Sequence, residues 1–213
     1  MTELIIIRHG QSDGNRTACF TGQTDVPLTE LGRKQAQLTA DHLKTTHIDA
    51  IFSSDLTRAM QTAKPIAEGH GLKITPCPEL REIWAGQWEG LPLAELGNLF
   101  PEDFGRWKED LAHCRCTGGE SIAELAERVY AFCRKIADSN EGRTVCIVSH
   151  ATPIRTLRCT LTGTPLTEIN SFPWVTNASI TVARKDDTGG FSLPVISYDK
   201  HMQGLVTALP GNV

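Results

Sequence analysis

Two histidines and several arginines stand in this sequence where they suit chemistry on a phosphate group. His9 lies between Arg8 and Gly10, and His150 stands far downstream after an apolar run. Phosphate esters resist attack because their oxygens are already negative, so catalysis is mostly positioning plus neutralisation of charge. Arginine suits the second task, because its planar fork holds two phosphate oxygens and stays charged. A neutral imidazole attacks phosphorus and forms a covalent intermediate, dividing one hard step into two easier ones. The leaving alkoxide then needs a proton, which a carboxylic acid supplies. A phosphohistidine enzyme therefore needs a nucleophilic histidine, several positive donors and one acid. His9, Arg8, Arg58, His150 and Glu82 offer each part. Gly10 lets the backbone approach a ligand closely.

The elements that must position these residues are legible as hydrophobic patterns. Residues 4–7 form a short, β-branched apolar run, the pattern of a strand covered on both faces. Residues 50–53 and 144–149 read the same way. Residues 72–75 suit a third strand ended by prolines, and 179–183 and 193–197 suit late strands. Thr29 reads as the N-cap of a helix ending near Thr46, with Leu31, Leu38 and Leu43 leading its apolar stripe. A second helix starts near Ser54 or Asp55, and Pro65 is expected to kink or interrupt it. Residues 121–137 carry Ile122, Leu125, Val129, Phe132 and Ile136 at helical spacing. Residues 153–162 read as a helix with Pro153 near its first turn.

Strands alternating with helices predict a three-layer α/β/α sandwich around a mostly parallel sheet. In such sheets ligands sit beyond the carboxyl ends of the strands. That rule brings Arg8, His9 and Gly10, then Ser54 and Arg58, then His150 to one edge. Arg58 falls in a helix's first turn, where backbone N–H groups and the dipole also favour an anion. The stretch 81–119 is less regular and holds Glu82 and three of the four tryptophans, Trp84, Trp88 and Trp107. It reads as short helices and loops, a lid-like insertion over one end of the sheet.

The chain of 213 residues suits a single domain over 1–213. A formal net charge of −4 argues against a general nucleic-acid partner, so attraction for an anion must come from locally placed arginines. No apolar run reaches the length of a membrane span, and the early run is too short for a signal peptide. The expected location is the cytoplasm, with no membrane partner. Seven cysteines, an odd number, read as buried thiols of a reducing compartment. Cys114-Arg115-Cys116 lacks a second pair at zinc-site spacing. A homodimer stays open, and so does whether the tail 198–213 covers a sheet edge or a neighbouring subunit.

Arg8-His9-Gly10-Gln11-Ser12 resembles the signature of the histidine phosphatase superfamily, the phosphoglycerate-mutase-like group. Later motifs agree in order. Thr21-Gly22, then Pro27-Leu28-Thr29 and Leu31-Gly32, are similar to the segment after the signature. Ser53-Ser54-Asp55-Leu56-Thr57-Arg58-Ala59 with Gln61-Thr62-Ala63 resembles the second arginine motif. Leu80-Arg81-Glu82 with Gly86 and Trp88-Glu89-Gly90 resembles the acid motif, and Gly118-Gly119-Glu120-Ser121 and Ser149-His150 match later ones. The resemblance spans about residues 3–185.

It implies a phosphoglycerate-mutase-like fold and these roles. His9 is the phosphorylated nucleophile. Arg8, Arg58 and His150 form the phosphate pocket, with Asn15 as a further contact. Glu82 donates a proton and then activates water. Thr21, Gly22, Arg81 and Ala151 are candidate substrate contacts, although Arg81 suits a surface ion pair equally well. Neither a metal nor another cofactor is implied. Gln11 and Ala151 stand where the family's mutases carry Glu and Gly, and neither change touches a catalytic atom. The family's cofactor-dependent mutases are longer, with extra basic residues after the acid motif. Between Glu82 and Gly118 this chain has only Arg106, Lys108 and Arg115, against Glu89, Glu95, Glu102, Asp103, Glu109 and Asp110. A net-acidic lid is a poor clamp for a bisphosphorylated intermediate. The expected function is a metal-independent phosphomonoesterase of the histidine acid phosphatase type, acting on a small phosphorylated metabolite. The alternative is a phosphoglycerate mutase or related phosphoryl-transfer isomerase.

Overall fold

Alternation at single-residue spacing shapes the centre of the molecule. In strand β1 (Thr2–Arg8), Leu4 and Ile6 point into one core, Ile5 and Ile7 into another. Side chains on a strand alternate faces, so an unbroken apolar run demands cover on both sides. The computed structural model describes residues 1–207. Within them, β1 joins β2 (Ala50–Ser53), β3 (Ile74–Pro76), β4 (Thr144–Ser149), β5 (Ile180–Lys185) and β6 (Phe191–Tyr198) in one sheet, ordered β3-β2-β4-β1-β5-β6. The first four strands of that order run parallel, and β5 runs antiparallel to both its neighbours, β1 and β6. The mostly parallel sheet is as expected. β6 reverses on β5 because a short turn joins them, whereas parallel neighbours need a long crossover. In that turn Asp186 Oδ1 accepts from the N–H groups of Thr188 and Gly190, each at 2.9 Å.

Among the described residues seven α-helices supply the crossovers and covers: α1 (Asp13–Thr17), α2 (Glu30–Leu43), α3 (Thr57–His70), α4 (Leu93–Leu99), α5 (Pro101–Glu109), α6 (Ile122–Ser139) and α7 (Ala151–Thr162). Helices α2 and α3 bury Ala40, Leu43, Ala63 and Ile66 with Ile5 and Ile7. Helices α4 to α7 bury Leu96, Trp107, Leu125 and Leu157 with Leu4 and Ile6. The result is the three-layer sandwich. Thr29 caps α2 by accepting from Gly32 N–H at 3.0 Å, and Ser121 with Glu124 forms a reciprocal capping box on α6.

Some expectations need correction. Helix α3 runs unbroken through Pro65, which lacks one intrahelical N–H while the turns on either side persist. The turn at Ser54 delays its start to Thr57, since Leu56 keeps extended backbone and donates its N–H to Ser54 Oγ at 3.4 Å. Helix α7 begins two residues before Pro153, a position whose N–H has no intrahelical partner in any case. The stretch 81–119 does consist of short helices and turns, but it is wedged into the core. Trp88 is wholly buried, with ring centroids 5.3, 5.7 and 5.9 Å from Phe20, Phe104 and Trp107. The tail covers α2, where Gln35 Nε2 donates to Leu205 O at 2.7 Å and Thr39 Oγ1 lies 2.9 Å from His201 Nε2. Its residues 208–213 lie outside the described residues.

Candidate active site

Parallel register brings three strand ends together. Arg8 pairs with Ser149 across β1 and β4, and Ser53 pairs with Val148 across β2 and β4. The residues that follow, His9, Ser54 and His150, therefore emerge side by side. The rings of His9 and His150 meet edge to face, centroids 5.0 Å apart. His150 Nε2 lies 2.8 Å from Ser54 Oγ. Arg58 enters from the first turn of α3. Glu82 arrives on the segment after the Pro78–Leu80 turn, which Ser149 fastens by donating its hydroxyl to Leu80 O at 2.8 Å.

Arg8, His9, Asn15 and Arg58 line one cleft, together with Thr21, Gly22, Glu82 and Ala151. The cleft holds about 730 Å³ of space, counting the part open to solvent. Two sequence candidates stand elsewhere. His150 is fully buried behind His9, outside the cleft lining. Arg81 lies outside it too, forked onto Asp55 with Nε to Oδ1 at 2.7 Å and Nη2 to Oδ2 at 2.5 Å. Of the two roles its sequence allowed, the structure has the ion pair.

The partners of His9 settle its tautomer. Nδ1 lies 2.7 Å from Gly10 O, and a carbonyl only accepts, so Nδ1 carries the hydrogen. That leaves a lone pair on Nε2. Burial, helped by the charges of Arg58 and then Arg8, holds the ring's pKa well below the usual 6.5. The imidazole is thus neutral, the form that attacks phosphorus. Burial, then Arg58, His9 and Arg8, does the same to His150.

Both arginines are tethered by carbonyls. Arg8 Nη1 donates to Val175 O at 2.6 Å, and Arg58 donates to Thr24 O at 2.9 Å and Gly22 O at 2.7 Å. Burial lowers each pKa to about 10, against the opposing charge of Glu82, so both stay cationic at neutral pH. Arg8 Nε and His150 Nδ1 are buried without a partner among the described residues. Buried polar atoms are nearly always satisfied, and the unpartnered Arg8 Nε, part of a cation, suits an anion.

A family model described as the histidine phosphatase superfamily (branch 1) matches residues 4–195. The chain belongs to the histidine phosphatase superfamily. Phosphoserine phosphatase 1 of Hydrogenobacter thermophilus is 37% identical over 187 residues, 88% of this chain and 88% of its own. A probable phosphoglycerate mutase, GpmB, of Yersinia pestis is 36% identical over 169 residues, 78% of this chain and 77% of its own. A mycobacterial glucosyl-3-phosphoglycerate phosphatase, solved with VO3, superposes with a TM-score of 0.86 at 31% identity, covering 92% of this chain and 99% of its own. This histidine phosphatase is a phosphomonoesterase, and the mutase alternative is the less favoured.

Within the histidine phosphatase, Gly10 serves packing against its own fold. A Cβ there would stand 2.4 Å from Gly32 O, so the glycine lets the His9 loop rest on the start of α2. Asn15 Oδ1 accepts from Ser12 N–H and from Asn177 Nδ2, both at 3.1 Å, capping α1 while lining the cleft. Glu82 Oε1 accepts from Ile83 N–H at 2.9 Å, and Oε2 from Thr152 N–H at 3.4 Å in the first turn of α7. Sequence reasoning missed Asn177, which is fully buried and also donates to His9 O at 3.0 Å. It missed Phe20, Leu93 and Trp174 of the cleft wall as well. Residues 172–179 carry no periodic pattern, so only tertiary contact identifies Trp174 and Asn177.

Of the acids from Glu82 to Gly118, Glu82 alone lines the cleft. Glu89 instead accepts from Gln23 N–H at 2.8 Å and Thr24 Oγ1 at 2.7 Å. Arg106, Lys108 and Arg115 are also absent from the lining. The shortage of spare cations, rather than repulsion by acids, disfavours a second anionic group on the ligand.

The two neutral histidines carry a stability consequence. Below about pH 6.5 the unfolded chain protonates both, while the folded chain resists. The unfolded state then binds more protons, so stability is lost as pH falls through and below 6.5. Each contributes a slope of up to about 1.4 kcal/mol per pH unit. Urea melts at pH 7.0 and 5.5 should show the loss, and His150→Asn should flatten it.

Proposed function

We propose that His9 Nε2 attacks the phosphorus of a small monoester held by Arg8, Arg58 and the Ala151 N–H at the start of α7. A phosphorus–nitrogen bond forms, the ester phosphorus–oxygen bond breaks, and Glu82 gives its proton to the leaving alkoxide. Water then attacks the phosphohistidine and Glu82 takes its proton. The phosphorus–nitrogen bond breaks and inorganic phosphate departs. His150 braces the His9 ring from beneath. The observation that carries this reading is the neutral His9, with its hydrogen on Nδ1 and a lone pair beside two tethered arginines.

The reading treats the chain as one domain, because β1 from its start lies beside β5 from its end in one sheet. A reducing, cytoplasmic setting is supported by free cysteines, six of which are buried. Among the described residues no helix is long and apolar enough to cross a membrane.

Phosphate release over a panel of metabolite esters, with chelator present, tests the proposal. The expected result is release unaffected by chelator, with phosphohistidine trapped on His9 during turnover. 3-Phosphoglycerate followed by NMR separates the second reading, which the mutase relative keeps in view. Isomerisation without release would make the enzyme a mutase.

A further inference from the structure

The cleft lining combines charged with aromatic and aliphatic side chains. Its charged side chains, Arg8, Arg58 and Glu82, gather around His9, and its remaining wall includes Phe20, Leu93, Trp107 and Trp174. From this division we infer that the enzyme selects monoesters whose alcohol portion carries an uncharged, planar, apolar group. The inference rests on the phosphatase reading and names the substrate class of that same site.

The aromatic wall is built to be rigid. Trp107 and Trp174 lie nearly parallel, centroids 6.0 Å apart and planes 21° from each other. Phe20 meets Trp107 edge-on at 5.0 Å. The Arg155 guanidinium sits 4.1 Å from the Trp174 ring centroid, and Arg155 Nε donates to Phe172 O at 3.0 Å. Ring and cation together hold the indole in place. Offset and edge-on packing are the arrangements that aromatic rings prefer, so a ligand ring would meet this set through the part of it that lines the cleft.

Charge decides against the alternatives. A substrate carboxylate would need a cation of its own, and the two in the lining face the phosphate. Nearby Arg81 is held by Asp55, and Arg128 by Glu120 at 2.8 Å. A carboxylate pressed against indole would lose its water with nothing in return. A substrate ammonium gains little from Trp174, whose ring already takes the Arg155 guanidinium.

The test compares esters of aliphatic alcohols, so that aromatic content changes while the leaving oxygen stays an alkoxide. The probes are 2-phenylethyl phosphate, ethyl phosphate, phosphoserine, 3-phosphoglycerate and phosphocholine, with His9→Ala as control. We expect kcat/KM for the phenylethyl ester to exceed that for ethyl phosphate and for each charged ester by roughly 10–100-fold, the value of burying one phenyl group. Trp174→Ala should shrink the phenylethyl-to-ethyl ratio about tenfold, and Trp174→Phe should keep most of it. A charged ester matching or beating the phenylethyl ester overturns the inference. So does a ratio unmoved by Trp174→Ala in a variant whose melting curve matches the parent. Turnover that survives His9→Ala would instead overturn the phosphatase reading itself.

Discussion

Replacing His9 with Ala should lower kcat for phosphate release by roughly 10⁴-fold or more, because no other group can form the covalent intermediate. Binding should survive. Arg8 is tethered by Val175 O and Arg58 by Gly22 O and Thr24 O, and none of these bonds passes through the imidazole. The variant should therefore bind an ester with a Kd near the parent's while failing to turn it over. Steady-state assays and calorimetric titration of the same preparation measure both. Activity within tenfold of the parent would remove His9 as nucleophile. Loss of binding together with activity would mean that the ring supports the pocket rather than acting in it.

Glu82→Gln should slow esters of ordinary alcohols by about 10²–10⁴-fold, the usual share of a positioned general acid. The amide keeps an oxygen that can accept the Ile83 N–H, so the segment should hold its place. It has no acidic proton to give the leaving alkoxide. p-Nitrophenyl phosphate, whose leaving group departs without help, should lose much less in the phosphorylation step. Burst kinetics separate that step from hydrolysis of the phosphohistidine, where Glu82 also acts. Equal losses in the phosphorylation of both esters would take the acid role away from Glu82.

These two residues differ in how visible they are before folding. His9 follows a run, Leu4 to Ile7, whose unbroken apolarity already calls for a buried parallel strand, and the end of such a strand is where ligands sit. His150 follows β4 for the same reason, and Arg58 sits where an apolar strand gives way to a helix start. Periodicity is a local property, so the strands, the capped helices α2 and α6, and the shared edge of the sheet were legible from the chain alone. Ordered motifs around them brought the superfamily and its chemistry into view.

The sequence could not settle what depends on partners far apart in the chain. Arg81 took the ion pair because folding sets Asp55 within hydrogen-bond distance of its guanidinium, 26 residues away. Gly10 serves contact with Gly32, and Asn177 holds the His9 carbonyl from 168 residues downstream. The stretch 81–119 has weak periodicity because its helices are short, and only the fold shows Trp88 and Phe104 packed in the core while Glu82, Leu93 and Trp107 line the cleft. The cleft's apolar wall draws Phe20, Leu93, Trp107 and Trp174 from four separate segments. By itself the sequence determined the sheet, its reactive edge and the phosphoryl chemistry, since short-range patterns encode burial and strand ends. Only the tertiary structure decided which charges stay free and what surrounds the leaving group, because those are properties of neighbours that the chain order does not place side by side.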